Sequence, residues 1–153
     1  MVEGLKRLER KLKRTIPAKA IAFTRKAMEQ SADEIVAMMK RLVPVGRSED
    51  RKAGRPAILE TIDWTWGDAP AGAMVIGRSS RRADGLRITI YAGNERTMVQ
   101  GRSQLFQLAR LIEHGTQDMD AQPFFFVSWR ALRRRAKSRI SRQMRKGIKE
   151  GAA

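Results

Sequence analysis

The chain has 153 residues, no cysteine and a single histidine, and its 32 Lys and Arg against 16 Asp and Glu give a formal net charge of +16. That length suits one domain, residues 1–153, able to bury about 68–70% of its unfolded surface without covalent staples, and the absence of thiols excludes disulfides, thiolate metal sites and thiol chemistry. No apolar run approaches the ~18 residues of a membrane span and no secretory h-region is present, so the expectation is a protein made and used without export, with no membrane partner; the charge points to polyanions or acidic partners without saying which.

Val2, Leu5, Leu8 and Leu12 recur at spacings of three and four among Lys and Arg, which predicts a basic amphipathic helix. Glu3 and Glu9 interrupt its cationic face, so the first sixteen residues are read as an arm that packs on a neighbour rather than on a membrane. Thr15 as an N-cap and Pro17 near a first turn punctuate that helix. Ile21, Met28, Ala32, Ile35, Met39 and Leu42 then carry a second, heptad-like helix to about Val43, where Pro44 ends it. Residues 44–57, polar and marked by Gly46, Gly54 and two prolines, read as a flexible loop; no Gly-Lys-Ser/Thr follows either glycine, so it is not a phosphate cradle.

Ile62, Trp64 and Trp66 alternate with Asp63 and Thr65 and predict a strand that ends at Gly67. A second strand is expected at 73–77, then a basic turn through Arg81, Arg82 and Asp84-Gly85, then a third strand from Leu86 to Tyr91. A three-stranded antiparallel meander of this size needs a helix beneath its apolar face, and the tryptophans on that face read as packing rather than as a base-stacking platform. Residues 93–104 read as a second flexible polar loop.

Leu105, Leu108, Ala109, Leu111 and Ile112 predict a short helix stopped by Glu113, His114 and Gly115, the glycine standing where a C-terminus tolerates positive φ. After a polar turn Pro123 opens a new helix, and Phe124, Phe125 and Phe126 each contribute a few kcal/mol if buried, at about 25 cal/mol per Å². This last helix, from about Pro123 to Lys149, is on the order of 39 Å long. Phe125, Trp129, Leu132, Ala136, Ile140, Met144 and Ile148 form its apolar stripe. Its ten cations are Arg130, Arg133, Arg134, Arg135, Lys137, Arg139, Arg142, Arg145, Lys146 and Lys149, with no acid among them. Like charges three and four apart cost a few tenths of a kcal/mol per pair, so the helix calls for neutralisation, either by acidic residues elsewhere in the chain or by a partner. The whole is α+β: two N-terminal helices, a small antiparallel three-stranded meander, a short helix and a long basic C-terminal helix.

Catalysis has little to rest on. His114 is the only histidine, so a nucleophile–His pair or a His-based metal site would depend on that one residue. Glu49, Asp50, Glu60, Asp63 and Asp68 lie close in sequence but on a loop and a polar strand face. The reading is no enzyme, no cofactor and no metal, with a small hydrolase or toxin acting through His114 ranked last.

The string Ala109, Ile112, Glu113, Gly115, Thr116, then Pro123, Phe124 and Ala131, resembles the C-terminal signature of the gene-product-ten tail-completion or neck proteins of lambdoid siphophages, with His114 where an aromatic is more usual. The resemblance implies a virion structural protein of the head-to-tail junction, present in the host cytoplasm during assembly. It would work as a ring, with a hexamer the order suggested. Its implied partners are itself, the connector or head-closure protein, and tail terminator or tail tube proteins. Glu113, Gly115, Thr116, Pro123 and Phe124 would shape the shared corner, and the basic helix would meet an acidic neighbour or the DNA in the channel. The rival is a nucleic-acid-binding protein that lays its C-terminal helix on phosphates.

Overall fold

A computed structural model describes residues 2–45, 57–75 and 86–153. Most of the 44–57 loop, the end of the second strand and the Arg81–Gly85 turn therefore lie outside the described residues. The class is α+β. Helix α1 (Val2–Arg10), a π-helical stretch (Lys11–Thr15) and α2 (Ile16–Leu42) follow one another without the break expected near Thr15 and Pro17. Proline lacks an N–H, and in an α-helix its ring collides with the carbonyl four residues back. Here the turn before it is widened, with the Ile16 N–H bonded to the Lys11 carbonyl five residues back, so the helix passes through the proline. Thr15 is part of that wide turn and not an N-cap.

The chain divides into two compact units, Ala32–Ala131 and Met1–Ser31 with Leu132–Ala153. In the first, α2 buries Ala32, Ile35, Val36 and Met39, and the Val43 N–H closes on the Met39 carbonyl at 2.9 Å. A single turn, α3 (Ile58–Thr61), leads through fully buried Ile62 into β1 (Asp63–Trp66). Strand β3 (Ile88–Ala92) pairs antiparallel with β1 on one side and with β2 (Met74–Val75) on the other. The strand order is thus β1-β3-β2 and not the sequential order of a meander. Among the described residues β2 meets β3 at two positions, Met74 opposite Ala92 and Val75 opposite Tyr91.

The period-two reading holds at the register level. Trp64 faces Ile90 and Trp66 faces Ile88, so these four side chains share one face, with Asp63, Thr65, Thr89 and Tyr91 on the other. The indoles meet edge to face at 6.3 Å, and the Trp64 Nε1–H donates to Asp33 Oδ1 on α2 at 2.7 Å. Burial raises the Tyr91 phenol pKa above its ordinary value, and Asp63 opposite it adds to the shift.

Residues 93–104 contain structure where a polar loop was expected. Asn94 and Thr97 form a reciprocal capping box around a 3₁₀ turn, Glu95–Thr97. Strand β4 (Met98–Gln100) then pairs antiparallel with β5 (Leu105–Gln107), closed by the Gly101 N–H on the Gln104 carbonyl. Leu105 to Gln107, expected to open the short helix, belong to this hairpin, and α4 covers Leu108–His114.

The second unit is an antiparallel helix pair. Gly151 of α5 (Phe125–Ala152) lies against Ile16, Gly147 against Lys19 and Ala20, and Arg139 donates to Ser31 Oγ at 3.1 Å. Its inner face carries Thr24, Ala27 and Ser31 on α2 and Ala136, Gly147 and Gly151 on α5. Met144 and Ile148, expected in the buried stripe, are exposed. Close approach of two backbones selects small residues at the seam and turns the larger apolar neighbours to the flank. The Lys11 and Lys19 ammonium groups cover carbonyls at and just beyond the end of α5, Lys11 those of Ala152 and Ala153 and Lys19 that of Glu150 at 2.9 Å.

Candidate functional site: the Glu113 corner and the cationic helix

The corner is built around one buried carboxylate. Glu113, in the last turn of α4, is 5% exposed, and its Oε2 accepts from the backbone N–H groups of Phe124 at 2.8 Å and Phe125 at 2.9 Å while Oε1 accepts from Phe126 at 3.0 Å. These are the N–H groups that a helix start leaves without an internal partner. A residue eleven positions upstream of Phe124 therefore caps α5, and Pro123, expected at the first helical position, sits exposed just ahead of it. Phe124 and Phe125 are fully buried, stacked edge to face at 6.1 Å, and Phe126 is half-buried with its ring 6.1 Å from His114.

The turn that brings Glu113 to Phe124 depends on Gly115. Its φ is +75°, and a Cβ there would come 2.7 Å from Ala121 N and 2.8 Å from the Met119 carbonyl oxygen. Its N–H bonds back to Leu111 O at 2.7 Å. Thr116 and Met119 exchange backbone hydrogen bonds, the Thr116 hydroxyl accepts from Asp118 N–H, and the Gln122 N–H returns to Ile112 O at 2.8 Å. So Glu113, Gly115, Thr116 and Phe124 come together in one closed turn. These backbone and side-chain groups bond to one another and close the turn.

A second polar hub was invisible in the sequence. Gln107, 6% exposed, donates through Nε2 to the carbonyls of Gly72 at 2.7 Å and Asn94 at 3.0 Å, and its Oε1 receives the Thr97 hydroxyl at 2.8 Å and caps α4 through Ala109 N–H. Gly93, at φ +84°, leaves the room this amide occupies, since a Cβ there would lie 2.4 Å from it. One glutamine thereby ties the approach to β2, the 3₁₀ turn and α4 together. A lone Gln inside a helical pattern gave no signal of this.

The cations of α5 do not form one set. Arg130, Arg133, Arg134, Arg135, Lys137, Arg142, Arg145 and Lys146 are exposed, but Arg139 points into the helix seam at Ser31. Lys146 stands 5.7 Å over the Phe23 ring and 3.9 Å from Glu150. The face opposite the seam is drawn from Arg134, Arg135, Ser138, Ser141, Arg142, Arg145 and Lys149, all exposed. Among the described residues no group of acids and histidine is arranged to hold a metal, and no helix is long and apolar enough to cross a membrane.

Residues 3–115 match the family described as "Bacteriophage HK97-gp10, putative tail-component", and as this is most of the chain, the protein belongs to that family. The match takes in Glu113 and Gly115 and ends before Thr116, Pro123, Phe124 and the whole of α5. No curated protein and no solved structure matches the chain.

Proposed function

We propose that this phage tail component works at the head-to-tail junction, completing the tail or forming part of the neck, by closing into a ring and without a catalytic step. Family membership over residues 3–115 is the observation that carries this reading. The self-satisfied corner supports it, because a subunit that repeats around a ring needs fixed angles between its elements more than it needs reactive groups. A ring has two different faces, each matched to one neighbour: on the head side a connector or head-closure protein, on the tail side a terminator or tube protein. A hexamer is the order we expect, with assembly in the host cytoplasm and the finished ring in the virion. The corner residues Glu113, Gly115, Thr116, Pro123 and Phe124 then act by holding the geometry of the interface.

Native mass spectrometry and negative-stain imaging of the purified protein test the ring, and a phage carrying a stop codon in this gene tests the role. The expected results are one closed oligomer of the 17.4 kDa chain and an accumulation of filled heads and separate tails. A protein that stays monomeric alone and with tail extracts, or a mutant phage that joins heads to tails normally, would overturn the proposal.

A further inference from the structure

The net charge is carried almost entirely by one unit. Met1–Ser31 with Leu132–Ala153 holds eighteen Lys and Arg against four Glu, a formal +14, whereas Ala32–Ala131 holds fourteen against twelve, a formal +2. Ordinary surface decoration mixes signs, as the larger unit does. The smaller unit instead spends part of its stability on self-repulsion: Arg133 and Lys137, Arg142 and Lys146, and Arg145 and Lys149 are like charges four apart on one helix.

From these observations we infer that the helix pair of Met1–Ser31 and Leu132–Ala153 binds duplex DNA through its phosphate backbone, without reading sequence, using the outer face of α5. Three features select this partner. Arg134, Ser138, Ser141, Arg145 and Lys149 follow one another at spacings of four, three, four and four, with Arg142 beside them, so they share a side of the helix. From Arg134 to Lys149 that side spans about 22 Å of helix, over which a duplex presents on the order of a dozen phosphates. The face also contains no apolar or aromatic residue. Protein–protein interfaces are depleted of charged residues at their centre, whereas DNA interfaces are polar and strongly positive, with Arg, Lys and Ser on phosphate oxygens. Finally, the seam takes Arg139 and the small residues inward, so the remaining cations of this side are held outward by the packing itself. The family match ends at residue 115, so membership leaves this face unaccounted for. The inference goes beyond the neck reading and does not rest on it.

The test is fluorescence anisotropy of the full-length protein with two 30-base-pair duplexes of unrelated sequence, titrated at several salt concentrations. The two duplexes should bind alike, with log affinity falling linearly in log salt. In the variant Arg134→Gln, Arg142→Gln, Arg145→Gln, Lys149→Gln the slope should become shallower by about 3 to 4. A matched variant that removes four exposed cations from the other unit (Lys40→Gln, Arg41→Gln, Arg96→Gln, Arg110→Gln) should change it by less than about 1. Circular dichroism checks that both variants fold, and Gln keeps helix propensity. Equal losses in the two variants would mean that bulk charge alone attracts DNA. Absence of duplex binding at the lowest salt, displacement of the duplex by polyglutamate at equal charge, or tighter binding to phosphatidylglycerol vesicles would each overturn the inference. Native mass spectrometry of the same samples keeps the two ideas apart, since a ring that forms but ignores DNA sinks this inference and leaves the neck reading standing.

Discussion

Glu113 performs for α5 the task of an N-cap, but from another helix, so a single side chain ties the end of one element to the start of the next. Its carboxylate meets three N–H groups at a helix N-terminus, where the dipole favours negative charge and charge-assisted bonds are about twice as strong as neutral ones. Glu113→Gln keeps the shape but replaces one acceptor by an amide N–H that faces other N–H groups, and should cost about 2 kcal/mol; Glu113→Ala leaves all three donors unpaired and should cost about 3 kcal/mol or more. Thermal melts check this, at about 2–4 °C per kcal/mol for a chain of this size. A Gln variant as stable as the parent would show that the charge contributes nothing and that α5 is started by its phenylalanines alone. The Glu-His-Gly-Thr string, Glu113 to Thr116, was legible in the sequence as the end of one helix. Its bond to the start of the next was not, because a side chain that reaches backbone eleven residues away leaves no periodicity. Gln107 was missed for the same reason: its three-way amide depends on Gly93 lacking a Cβ and on an Asn94–Thr97 box that reads only as polar loop.

Between elements, hydrophobic spacing located the long helices and the three strands but misplaced the seam of the helix pair. A reading that counts apolar residues put Met144 and Ile148 inside; the structure puts Gly147 and Gly151 there, because glycine is what lets α5 touch α2 backbone to backbone. The same bias made a loop of 93–104, where Met98 and Val99 are too short an apolar run to announce a strand without Gln107 and Phe106 opposite them. Gly147→Ala separates the two influences. Propensity alone predicts a gain of about 1 kcal/mol for removing glycine from a helix interior. A Cβ at 147 would sit 2.8 Å from Ala20 Cα and 2.9 Å from Lys19 O, both backbone atoms that yield only if the helices part. Overpacking of this kind costs about 1–3 kcal/mol, so the net expectation is a lower midpoint in urea. A higher midpoint would mean that the two helices do not approach this closely in solution.

Across the whole molecule the controlling quantity is how unevenly charge is shared, and it sets a response to salt that the two units should not share. With a formal +14 on one unit and +2 on the other, repulsion opposes only the first. The total of +16 was plain in the sequence; its assignment to one unit was not, since that unit joins the first 31 residues to the last 22. Screening shortens from roughly 30 Å at 0.01 M ionic strength to about 8 Å at 0.15 M, which spans the separations between neighbouring cations on α5. Hydrogen exchange measured at about 20 mM and about 300 mM sodium chloride should therefore show amides of residues 136–150 gaining protection with salt. Those of β3 and α4, whose order rests on Gln107, Glu113 and the tryptophan face, should change little. The Arg134, Arg142, Arg145 and Lys149 to Gln variant should already show at low salt much of the protection that the parent reaches only at high salt. Uniform gains across both units would point to a general salting-out of apolar surface and against localised repulsion. Loss of protection in 136–150 at high salt would show that the cations are held by attractive pairs within the protein, leaving no unmet charge for a phosphate backbone to satisfy.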